Sequence, residues 1–241
     1  MNVYLTVFLA ALYGCLLGPG PSPAAQQLSP PSEYFPAPQK GMSIQLSAEK
    51  MPRLSDLLGE FSRATGMTVV SDEPTRRMLD ASCGLNQDVE VPPGQVYGFT
   101  ESVLSYHGFL LYHLRSDAPR LLGITHPRAL NESSGTIKPV YVPVEGLAAW
   151  KDHPAFLVQT MISLANVDVR TLSNSMRAVF SEQRTQQLVP LGNSNSLLIT
   201  APAAMATNVI EMLRRADDEA AKAQQAAIPA SKPAEQAPPP K

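Results

Sequence analysis

Four histidines, two cysteines and one tryptophan are the side chains in which chemistry is first sought in this 241-residue sequence. His107, His113, His126 and His153 contain no i,i+4 pair and no HExxH spacing, and Cys15 and Cys83 are too few for a thiolate cluster, so no metal site is expected. Serines are plentiful, but no Gly-x-Ser-x-Gly elbow singles one out as a nucleophile. Asp72-Glu73 and Asp217-Asp218 are adjacent acids, and neighbouring side chains do not aim at one point as paired catalytic carboxylates must. The first pair reads as turn chemistry before Pro74, the second as a solvated helix end. No glycine-rich phosphate loop occurs. The expectation is a chain that is not an enzyme and that has no catalytic residue, cofactor or metal. Trp150, beside Lys151-Asp152-His153-Pro154, reads either as an exposed contact anchor or as a plug between domains. His107 before Gly108 reads as a helix end, and His113 as a strand residue facing solvent or a neighbour.

The elements that would position these residues fall into two small modules. In the first, Met42, Ile44 and Leu46 alternate as a half-buried strand does, and Leu54, Leu57, Leu58, Phe61 and Ala64 then recur at helical spacing. Pro52 suits the first helical turn and Gly66 the C-terminal cap. Met67 to Val70 and Val89 to Val91 predict two strands, and Val96, Phe99, Val103 and Leu104 predict a helix ended by Gly108. Phe109 to Leu114 and Leu121 to Thr125 form a hairpin across Arg115-Ser116-Asp117-Ala118-Pro119, which completes a mixed sheet packed by two helices. Val140 to Val144 predicts a strand that leads into the second module.

The second module predicts the order strand, helix, strand, strand, helix. Phe156 to Ile162 opens it, and Val169, Leu172, Met176, Val179 and Phe180 share one helical stripe with Asp168 at its positive end. Leu188 to Leu191 and Ser196 to Thr200 flank a turn at Gly192-Asn193-Ser194-Asn195. Pro202 then opens a helix whose apolar side is Met205, Val209, Met212 and Leu213. The fold class is α+β, with two small tandem α/β domains at 42–127 and 156–217 joined by a linker with a strand at 128–155. Residues 26–41 form a Pro-rich linker, and 218–241, rich in Ala, Gln, Lys and Pro, a fraying helix end followed by a disordered tail.

Val3 to Leu17 is apolar for about 15 residues, short of the about 20 that span a bilayer. Gly18-Pro19-Gly20-Pro21 and Ser22-Pro23-Ala24-Ala25 follow, so residues 1–25 read as a signal peptide without the usual basic start. Cys15 after Leu12-Tyr13-Gly14 resembles the lipobox cysteine of bacterial lipoproteins, although Tyr13 departs from that pattern; the other reading discards Cys15 with the leader. Cys83 then has no partner for an internal disulfide. The formal net charge of −2 gives no electrostatic reason to expect nucleic acid. The second module's element order also resembles KH-like folds, but their Gly-x-x-Gly loop is absent, and Arg53, Arg63, Arg76 and Arg77 are interspersed with acids.

Residues 42 to 217 resemble the N-terminal periplasmic domains of bacterial secretins, the ring-forming channels of type II secretion and type IV pilus systems. The first module carries the resemblance in Ser43-Ile44-Gln45-Leu46, in the Leu-rich helix ending at Thr65-Gly66, and in Val103-Leu104-Ser105-Tyr106-His107-Gly108-Phe109. The second carries it in Asn193-Ser194-Asn195-Ser196-Leu197-Leu198-Ile199-Thr200-Ala201 and Ile210-Glu211-Met212-Leu213-Arg214-Arg215-Ala216-Asp217. In that family such domains stack into rings through sheet-to-helix contacts between subunits and contact inner-membrane components or cargo. The resemblance therefore implies an exported, noncatalytic assembly module, periplasmic or associated with the outer membrane. Its implied partners are cell-envelope proteins: a secretin pore subunit, inner-membrane components or further copies of itself. The family's β-rich pore domain has no counterpart after Asp217, so an accessory, truncated or cooperating subunit is expected. The alternative is a pilotin-type outer-membrane lipoprotein anchored at Cys15.

Overall fold

The computed structural model describes residues 34–46, 51–131, 137–176, 180, 185–192 and 194–227. Strand β1 (Met42–Ile44) pairs antiparallel with β3 (Val89–Val91) as a sheet of their own. Helix α1 (Leu54–Thr65) buries Leu54, Leu57, Leu58, Phe61 and Ala64, the stripe the sequence predicts. Pro52 lies before the cap residue Arg53 and so outside the first turn. Gly66 ends the helix at φ 73°, a left-handed conformation in which a Cβ is strained, and donates its N–H to the Ser62 carbonyl.

Strand β2 (Thr68–Ser71) leads into α2 (Glu73–Met78), one short helix beyond the expected set. Asp72 is its N-cap, accepting the Thr75 N–H at 2.8 Å, and Glu73 pairs with Arg76 and Arg77. Those adjacent acids therefore start a helix where a turn was expected. Helix α3 (Val96–Tyr106) precedes the hairpin of β4 (Leu110–Arg115) and β5 (Leu121–Thr125), and β2 joins it parallel to β5. The single mixed sheet expected here is thus two sheets, β1-β3 and β2-β5-β4.

Strand β6 (Val140–Tyr141) is shorter than expected: its ladder with β7 ends there, and a turn closed by the Gly146 N–H on the Pro143 carbonyl follows. It pairs parallel with β7 (Leu157–Ser163), so part of the 128–155 stretch belongs to the second module's sheet. After α4 (Val169–Ser175), β8 (Gln187–Leu191) and β9 (Ser196–Pro202) form a hairpin, giving the order β6-β7-β9-β8. Helix α5 (Ala203–Ala227) is the last of the described elements and continues past Asp218, where the sequence predicts a helix end. Its buried side consists of Ala206, Val209, Ile210 and Leu213, whereas Met212 is 46% exposed and belongs to the outer face. One continuous apolar core links both modules, from Met42 to Leu213.

Candidate interaction surfaces

His113, His153 and the tryptophan are drawn into the seam between the modules. The chain leaves a 3₁₀ turn at Leu147–Trp150 and returns along α3, where Glu101 Oε1 lies 2.7 Å from His153 Nδ1 in the interior. Burial raises the Glu101 carboxyl above its usual range, while the hydrogen bond and charge of His153 draw it partway back. Leu111 donates its N–H to the Ala155 carbonyl at 2.8 Å, so β4 of the first module adjoins the start of β7.

Trp150 is only 2% exposed, so its place is inside, not on the outer surface where a contact anchor would sit. Its ring lies 5.1 Å from Phe35, 5.6 Å from Tyr34 and 6.0 Å from Phe156. Phe35 also stacks on His153, with centroids 3.8 Å apart, and Tyr97 Oη donates to the Pro36 carbonyl at 2.9 Å. Tyr34 to Pro36 therefore fasten the seam, although the sequence placed them in a loose linker. His113 faces this cluster, 4.8 Å from Tyr34 and 5.0 Å from Phe156. Its ring nitrogens have no hydrogen-bond partner, and burial pushes its pKa down to about 4.

His107 caps α3 and its Nε2 lies 3.2 Å from the Cys83 carbonyl, while His126 packs against Phe109. Burial, with the Asp56 charge next, pushes the Cys83 thiol up to about 11. Among the described residues no group of three His, Cys, Asp or Glu is placed to hold a metal, and no helix is long and apolar enough to cross a membrane. Cys15, the leader and residues 228–241 lie outside the described residues.

Two outward surfaces lie on opposite sides of the second module. On the sheet face away from α4 and α5, cross-strand register aligns Met161, Leu198 and Val189 in one row. Met161 and Val189 are 42% and 41% exposed, and Tyr141 of β6, 54% exposed, extends the patch. On the helix face, Met205, Val209 and Met212 of α5 line an apolar hollow of about 470 Å³ together with Pro154 and Ser105.

No protein-family description and no curated protein matches the chain. Among solved structures, it is similar to a chain of the Klebsiella pneumoniae type II secretion system outer membrane complex containing PulD, PulS and the PulC HR domain. The TM-score is 0.52 at 21% identity, over 71% of this chain and 26% of that one. At 21% identity this likeness is one of fold. The chain thus spans about a quarter of the length of that solved chain. Weaker likenesses are to the GspC-GspD complex of enterotoxigenic Escherichia coli (TM-score 0.28, 13% identity, 74% of this chain and 99% of that one) and to the N-terminal domain of the secretin XcpQ from Pseudomonas aeruginosa (0.24, 18%, 73% and 64%).

Within this fold, sequence reasoning missed Glu101. Its signal was present: it lies four residues after Tyr97 and three before Leu104, on the stripe that packs inward. Asp217 was also misread as a solvated helix end. Its carboxylate accepts N–H groups from Ala165, Asn166 and Val167 and thereby holds the connection between β7 and α4 against α5. Arg53, Arg63, Arg76 and Arg77 each pair with an acid, namely Asp80, Glu60 and, for the last two, Glu73.

Proposed function

We propose that this chain is a noncatalytic, exported assembly module of a secretin-type secretion or pilus system, acting in the periplasm through protein contacts. The observation that carries the reading is the pair of apolar faces on opposite sides of the second module. A sheet face with the Met161-Leu198-Val189 row and a helix face with Met205 and Met212 suit a head-to-tail contact, the sheet of one copy against α5 of the next. Such a contact repeats without using up either face, so it builds rings or filaments in place of closed dimers. The fold likeness to a chain from a secretion-system complex favours the same setting, with envelope proteins as further partners.

Light scattering on the full chain, with Val189→Lys and Met212→Glu variants, tests this. Wild type is expected to self-associate and each variant to remain monomeric. An equimolar mixture of the two should form one-to-one pairs, because each retains the face that the other lacks. A wild type monomeric at every concentration, with no crosslinked envelope partner, sinks the reading. Variants that assemble normally remove the two faces as its basis.

A further inference from the structure

One stretch of main chain in the second module lies in a groove without a partner. Val142 donates its N–H to the Gln159 carbonyl at 2.8 Å, so the odd-numbered residues of β7 turn their peptide groups toward β6. The even-numbered ones turn toward β9, as the bonds from Leu164 to Asn195 and from Ala203 to Phe156 require. Strand β6 pairs only as far as Gln159, and Pro143 then carries the chain away. The N–H and C=O groups of Met161 and Ser163 extend beyond it, and no main-chain group of the described residues pairs with them on that side.

A groove of about 480 Å³ runs beside this free edge, lined by Tyr141, Val144, Glu145, Met161, Arg214 and Asp218, among others. Asp217 also reaches it, but its oxygens are occupied by the amides of residues 165–167. The exposed carboxylates Glu145 and Asp218 then outnumber the one cation, Arg214. The opposite edge of the same sheet is β8, which contains Pro190 and so lacks one donor. The sheet is blunted at one edge and open, beside acidic side chains, at the other.

We propose that the groove takes an extended segment of a partner protein as an added strand along β7, with a lysine or arginine of that segment set between Glu145 and Asp218. The free peptide groups of Met161 and Ser163 supply the main-chain bonds, and the acids select the basic side chain. Tyr141 and Met161 offer apolar contact to the residues that alternate with it. This deepens the assembly reading and rests on it. The variants that test that reading alter Val189 and Met212, which do not line this groove, so the two can fail separately.

The test selects random peptides displayed on phage against the full chain and compares their binding to a Glu145→Lys/Asp218→Lys double variant. Selected peptides are expected to carry lysine or arginine within a run of β-forming residues and to bind the double variant at least about tenfold more weakly. They should also slow hydrogen exchange at the Met161 and Ser163 amides. Four results overturn the proposal: no enrichment, binders without a basic residue, equal binding to the double variant, or protection of amides elsewhere. Loss of self-association in the double variant also overturns it, since the occupant is then a second copy.

Discussion

His113 shows how a single buried ring sets a pH limit on this fold. Its two nitrogens are buried without partners among Tyr34, Phe35 and Phe156, and burial lowers its pKa from 6.5 to about 4. As pH falls below 6.5 the unfolded chain takes up a proton that the folded protein refuses until about pH 4. The unfolded state binds more protons across that window, so stability falls from pH 6.5 to 4 and is fully present above it. His113→Phe keeps a flat ring in the cluster and removes two unsatisfied polar atoms. The expected result in urea titrations is a gain of about 1 kcal/mol at neutral pH and loss of this acid limb. Glu101 acts in the opposite sense: burial raises its carboxyl, so its contribution is lost as pH climbs above 4.5. The variant leaves Glu101 untouched, and an unchanged acid limb would assign that dependence to other groups.

Among the elements, α5 does more than cover the sheet, because Asp217 ties its exposed half to the segment between β7 and α4. Burial acts to raise the Asp217 carboxyl, but hydrogen bonds from Asn166, Ala165 and Val167 outweigh it and hold the pKa below the usual 3.8. Its support is therefore present above pH 3.8 and lost as pH falls through the lowered value. Asp217→Ala is expected to speed amide exchange at residues 165–167 and lower the Tm, with the helicity of α5 intact; unchanged exchange there would remove the tether. Elements with a long apolar period were legible in the sequence: the five-residue stripe of α1 and the β8-β9 hairpin lie where periodicity puts them. The six residues of α2 carry no stripe and bury only Thr75, so a capped polar helix passed for a turn. Met212 was misplaced for a related reason, since the periodicity allowed it on the buried side and only packing assigns Ala206 and Ile210 in its stead. The interaction surfaces were legible less well, because free strand edges and cross-strand rows depend on register that no single strand encodes.

For the whole molecule, one apolar core runs from Met42 to Leu213, and the segment before β1, which the sequence placed in a linker, helps to lock it. Phe35 touches the rings of Tyr97, His113, Trp150, His153 and Phe156, which come from α3, β4 and the connection into β7. Gln39 donates its N–H to the Ala64 carbonyl at 2.8 Å, which fixes the same segment to the end of α1. Removing the Tyr34 and Phe35 rings leaves each module its own helices and sheets, so the damage should concentrate at the seam. A Tyr34→Ala/Phe35→Ala double variant is expected to lose about 2–4 kcal/mol, with both sites only partly buried. Trp150 is the chain's one tryptophan, so its fluorescence reads the seam directly. Its emission should shift to the red and become accessible to acrylamide, while far-ultraviolet circular dichroism retains the helical signal. If the emission stays blue and protected, the Glu101–His153 pair and the Leu111–Ala155 bond hold the modules without the strap. The two-module unit would then keep its geometry however the N-terminal segment is arranged.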